Sequence, residues 1–178
     1  MNLANTIIPK SDQLNADDLI TGPRVILITG VEAGSAEQPV LIHYEGEAGR
    51  PYKPGKSMRR VLVSIWGTDG NAYSGRSLCL YRNPAIRFGS DPVGGIRISH
   101  ASHIPEAISI SLTETRGRRK PFRVEPMPDG DAAAAKGTKA LQEWFTALSG
   151  FFKHALKPRL DGEWKKVAAE ADKKGVTS

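Results

Sequence analysis

Gly55-Lys56-Ser57 matches the end of a phosphate-binding P-loop, the first place where spacing hints at catalysis. That motif needs a glycine five positions before its second glycine. Arg50 stands there, and Gly49 is one residue out of register. Pro51 and Pro54 stiffen a loop whose N–H groups would have to cradle phosphate, and no later strand ends in an aspartate for Mg²⁺. His100 and His103 are three residues apart, which on a strand puts them on opposite faces. His43 and Cys79 lie elsewhere, so a zinc site would need distant convergence. Cys79 has no local nucleophile signature and alternates with strand residues, as a small side chain on a sheet face does. Asp69, Asp91, Glu106 and Glu114 fall in unrelated elements, whereas a metal-dependent nuclease needs clustered carboxylates. The sequence therefore predicts no enzyme, no cofactor and no metal.

Cations interleaved with aromatic rings form the better-supported pattern. Residues 50–123 carry 14 basic and 4 acidic side chains, a net of +10. Residues 1–49 are at −5, residues 124–178 at +1, and the whole chain at +6. A positive field concentrated in one segment is the footprint expected for a polyanionic partner. Tyr73, Arg76, Tyr81, Arg82, Arg87, Phe88 and Arg97 alternate through the middle of that segment. Single-strand binders use flat side chains to stack bases, worth roughly 1–3 kcal/mol each, and cations to follow the backbone. Lys56, Arg59 and Arg60 gather at the start of a predicted helix, where the dipole penalises cations unless a phosphate joins them. Arg116, Arg118, Arg119, Lys120 and Arg123 form a further basic run. The candidate nucleic-acid site is thus Lys56, Arg59, Arg60, Tyr73, Arg76, Tyr81, Arg82, Arg97, Arg116, Arg118, Arg119, Lys120 and Arg123. Tyr81 is expected to stack a base, with Tyr73, Tyr52 and Phe122 as substitutes. Phe88 and Trp66 are expected in the core.

The elements that must hold these residues follow from hydrophobic periodicity. Ala16–Ile20 reads as one helical turn stopped by Gly22-Pro23. Arg24 to Val31 is rich in β-branched residues and predicts a mostly buried strand, and Pro39 to Tyr44 predicts its hairpin or meander partner. In KSMRRVLVSIWG the residues Met58, Val61, Leu62, Ile65 and Trp66 recur along one helix face, with Ser57 as N-cap and Gly67 as terminator. From Tyr73 the period becomes two. Leu78 and Leu80 share one face, and Ser77, Cys79 and Tyr81 share the other, until Asn83-Pro84. Ile86 and Phe88, Ile96 and Ile98, and Ile108, Ile110 and Leu112 continue the series between Gly/Pro turns, and RGRRKPFRV reads as a basic loop or strand edge. That spacing predicts an α+β fold, with a small antiparallel β-barrel (OB-like) and one inserted helix over residues 1–125. Residues 126–137 (PMPDGDAAAAKG) read as a linker, and residues 138–178 as a helical tail. In the tail Leu141, Trp144, Phe145 and Leu148 recur at helical spacing, and Asp161 is expected to cap a second helix carrying Trp164 and Ala168. The tail helices are expected to pack on each other, on the barrel or at a dimer contact.

A single cysteine suits a reducing compartment. With no apolar run of spanning length and no signal-peptide pattern in MNLANTIIPKSDQ, a soluble, cytoplasmic protein without membrane contact is expected. KSMRRVLVSIWG, YSGRSLCLYRNP and VGGIRISHASHI resemble a family of uncharacterised proteins from phages and prophages of proteobacteria, over about Ile8 to Val124. GTKALQEWFTALS is similar, more loosely, to a helical tail found on such proteins. The resemblance implies a phage origin and company with recombination or replication genes, with no catalytic residue to carry over. The expected function is a phage-encoded single-stranded DNA-binding protein acting in replication or recombination, with self-association left open. The alternative is a phage protein that binds and inhibits a host protein or nucleic-acid-guided defence complex.

Overall fold

The computed structural model describes residues 11–87, 91, 93–115 and 117–175; Phe88 and Arg116 lie outside them. Two compact units follow one another, Met1–Met127 and Pro128–Ser178. In the first, the strands are β1 (Arg24–Ala33), β2 (Val40–Tyr44), β3 (Ser77–Asn83), β4 (Gly95–Ala101), β5 (Ile108–Thr115) and β6 (Arg118–Pro126). Helix α1 (Lys56–Trp66) is inserted between β2 and β3. From Arg118 to Val124 the basic run is thus strand, and it pairs with β5.

The α+β class holds, and the strands form one mostly antiparallel sheet in the order β2-β1-β3-β4-β6-β5. The expected barrel does not form. Closure would give every strand two hydrogen-bonded neighbours. Instead, among the described residues, β5 pairs only with β6, and the far edge of β2 takes a single bridge, from Ile42 to Tyr52. β4 and β6 run parallel, in register at His100–Glu125 and Ala101–Pro126.

One face of the sheet carries the core. Ile26, Ile28, Leu78, Leu80, Ile98 and Val124 are buried against Met58, Val61, Leu62, Ile65 and Trp66 of α1. Burying each such side chain contributes on the order of 1.5–3 kcal/mol, which is why the helical stripe seats where it does. The helix starts after Gly55, not at the expected cap Ser57, and no side chain caps it. It ends at Gly67, whose φ of 87° suits glycine and whose N–H donates to the Val63 carbonyl at 2.9 Å. Tyr73 belongs to a 3₁₀ turn, Gly70–Tyr73, and not to a strand.

The second unit contains α2 (Asp131–Ala134), α3 (Thr138–Ala147), α4 (Gly150–Arg159) and α5 (Lys165–Gly175). Part of the stretch that reads as a linker is therefore helical, and Ala134 in it is fully buried. Asp161 caps nothing. A π-helical turn, Leu160–Trp164, joins α4 directly to α5, and Asp161 pairs with Lys165 and Lys157 instead. Trp164 is the centre of this unit. Its Nε1–H donates to Asp131 at 2.6 Å, Trp144 meets it edge-on at 5.1 Å, and the Arg159 guanidinium stacks 4.7 Å from its ring. Leu141 and Trp164 are buried, whereas Trp144, Phe145 and Leu148 are half-buried.

Candidate nucleic-acid interface

Strand register sorts the basic and aromatic residues onto different faces. Val25 pairs with Cys79, Cys79 with His100, Tyr81 with Arg97, and His100 with Glu125. Paired residues share a face, and this one lies opposite Leu80 and Ile98. Alternation along β6 adds Arg123 and Arg119 to it, opposite Ser109 and Thr113 of β5. The face opposite α1 thus carries Tyr81, Arg97, Arg119 and Arg123, with the Ser109 and Thr113 hydroxyls beside the last two. A bulge makes this possible: Leu80 pairs with Ile98 but Cys79 pairs with His100, so Ser99 is an extra residue. Without it, His100 would share the core face with Ile98.

Tyr81 and Arg97 are half-buried, while Arg118, Arg119, Lys120 and Arg123 are exposed. Burial pushes the Tyr81 phenol pKa up, and the positive charge of Arg97 partly offsets the push. The same charge acts on the buried Tyr52 phenol, whose pKa burial also pushes up. Arg123 forms an ion pair with Glu125. Arg118, Arg119 and Lys120 give the β5–β6 hairpin a basic tip.

The other expected members are elsewhere. Lys56, Arg59 and Arg60 sit on α1, whose apolar stripe covers the opposite face, so the sheet separates them from Tyr81. Lys56 and Arg60 are exposed, and Arg59 is half-buried with a donor 3.4 Å from the Pro54 carbonyl. Tyr73 is not available for stacking. It is buried, its hydroxyl donates to the Gly67 carbonyl at 2.7 Å, and its ring meets Trp66 edge-on at 5.1 Å. Arg76 lies 5.4 Å from the Trp66 ring as a cation–π partner. Arg82 follows Leu78 and Leu80 onto the core side, and its Nε lies 3.6 Å from Asp17. Of the substitute stacking residues, Tyr52 is buried and Phe122 packs partly buried against the core.

Burial raises the Cys79 thiol pKa, partly offset by a hydrogen bond from Ser99, the opposite of what a nucleophile needs. His103 lies beyond β4, where its Nδ1 is 2.8 Å from the Ser102 hydroxyl. Among the described residues no three His, Cys, Asp or Glu side chains form a metal-ligating group, and no helix is long and apolar enough to cross a membrane. Comparison with protein-family models, curated proteins and solved structures found no match for this chain.

Sequence reasoning missed Ser109 and Thr113, although their alternation with Ile108, Ile110 and Leu112 was a signal for them. It also missed Lys53, which no periodic pattern marks. Lys53 lines a cavity with Tyr52 and Arg97.

Proposed function

We propose that the chain binds single-stranded nucleic acid across the sheet face opposite α1, in the replication or recombination setting that the phage resemblance implies. The observation that carries this is the cross-strand pair Tyr81–Arg97, continued by Arg123 and Arg119 along the β5–β6 hairpin. An open sheet face with an aromatic ring beside a cation accepts an unstacked base and its phosphate together. A duplex hides its base faces inside the stack, so it offers Tyr81 nothing to contact. The Ser109 and Thr113 hydroxyls, paired across the strands with Arg123 and Arg119, donate to phosphate or sugar oxygens without reading sequence.

The test is fluorescence anisotropy with labelled oligo-dT over a salt series. Arg97, Arg119 and Arg123 together should give a log–log slope of about −2, from about −0.7 per phosphate on a single strand. Duplex DNA of the same length should compete weakly. No binding at about 50 mM salt, or a flat slope, would overturn the proposal.

A further inference from the structure

A cavity of about 470 Å³ opens beside Arg97, with Asp17, Tyr52, Lys53, Gly55 and Gly94 on its wall. Donors without acceptors collect there. Tyr52 is 1% exposed, and its hydroxyl has no hydrogen-bond partner. Polar groups that deeply buried are nearly always paired, so an unpaired one marks a missing acceptor. The Arg82 Nε is buried without a hydrogen-bond partner as well. Its guanidinium lies against Gly94, where even a Cβ would come within 3.0 Å of it. Helix α1 begins at Gly55 with no side-chain cap, and its first backbone bond runs from the Arg59 N–H to the Gly55 carbonyl at 3.0 Å. The N–H groups of the preceding turn therefore have no acceptor within the helix, and the positive end of its dipole lies at the cavity.

Charge points the same way. Lys53 and Arg97 are on the wall and Arg82 is behind it. The acid on the wall, Asp17, is already beside Arg82. The Lys53 ammonium holds the Asp12 carboxylate at 2.6 Å, and that carboxylate is 84% exposed and free to yield to a better anion. A water could satisfy Tyr52 but would bring no negative charge to a wall that carries Lys53 and Arg97. A carboxylate brings two oxygens, whereas donors converging from a helix end, a phenol and several cations match the larger oxygen set of a phosphate.

We infer that this cavity is a phosphate-binding site. It shares only Arg97 with the sheet face, and it serves either a phosphate of a bound strand or a free phosphate monoester.

The experiment measures thermal unfolding of the full chain with inorganic phosphate against chloride at matched ionic strength. A ligand that binds only the folded form raises Tm saturably. Tyr52→Phe keeps the ring and deletes the unpaired hydroxyl. Its Tm without phosphate should hold or rise, while its phosphate affinity falls about tenfold or more, the weight of one hydrogen bond to a charged group. Lys53→Met should weaken phosphate binding through a residue outside the core, so the inference does not hang on one variant. Tyr81→Ala should leave the phosphate response intact, which separates failure of this site from failure of the sheet face. Tighter binding of 5′-phosphorylated than 5′-hydroxyl oligo-dT would identify a strand terminus as the source. Equal competition by phosphate against both would identify a backbone phosphate, and phosphate binding that disturbs neither would identify a free monoester. No saturable phosphate response in the unmodified protein, or unchanged affinity in both Tyr52→Phe and Lys53→Met, would overturn the inference.

Discussion

Replacing Tyr81 by alanine removes a half-buried ring from the sheet face opposite α1 and leaves every charge in position. If that ring stacks a base, the loss is roughly 1–3 kcal/mol, and a central value of ~2 kcal/mol weakens binding about thirtyfold. Stacking releases no counterions, so the salt slope should stay where it was. Arg119→Ala combined with Arg123→Ala should do the reverse, making the slope shallower by about 1.4 for two lost phosphate contacts. The two arginines are not equivalent, because Arg123 is held by Glu125 while Arg119 stands exposed opposite Thr113. A phosphate reaching Arg123 must displace that carboxylate, so Glu125→Gln should tighten binding. Anisotropy titrations with oligo-dT at several salt concentrations read both quantities, and a melting curve for each variant corrects for the folded fraction. A Tyr81→Ala variant with a lower Tm but an unchanged affinity of the folded protein would refute stacking, since the ring would then only be packing.

Two further outcomes test the packing and the titration behaviour. Gly130→Ala should destabilise the second unit by about 1–3 kcal/mol, an overpacking cost, because the added Cβ would stand 2.8 Å from Trp144 and 2.9 Å from Trp164. Its φ of −90° suits alanine, so strain is not the cause, and urea unfolding followed by tryptophan fluorescence measures the loss. His43 has Nδ1 2.8 Å from Glu47 and Nε2 3.5 Å from Glu32, and the Glu47 hydrogen bond, against the pull of burial, raises its pKa above the ordinary 6.5. A raised pKa stabilises the fold fully below the unfolded value and loses that contribution as pH rises through the folded value. The Tm gap between the unmodified protein and His43→Gln should therefore narrow from about pH 6 toward about pH 8. His100, whose pKa burial lowers, pulls the opposite way in both proteins and cancels in the comparison. A gap that does not change with pH would show that His43 acts by packing alone.

Helix α1 was legible because amphipathic periodicity is a local property. Five apolar residues at helical spacing are the five that end up buried, and Gly67 ends the helix where its left-handed conformation allows. The alternation in β3 likewise separated Tyr81 from Leu78 and Leu80 before any partner strand was known. The strands β1 and β2 and the tail helix around residues 141–148 were legible for the same reason, whereas α2 and α4 were not. Strand neighbours were not, because pairing is decided by contacts between distant segments. β6 lies between β4 and β5 and runs parallel to β4, so a series of short strands that reads as a barrel becomes an open sheet. The Ser99 bulge moved His100 to the other face, a one-residue slip that no alternation rule anticipates. Asp161 reads as a helix cap, yet a π-helical turn carries the helix through it. For the candidate site, composition identified a basic, aromatic middle segment. Only the tertiary structure decided that Arg97 stands beside Tyr81, that Arg59 and Arg60 lie across the sheet from it, and that Tyr73 is closed inside against Trp66. Residue type and spacing set what each side chain can do, but which side chains share a surface depends on how the chain brings distant strands together.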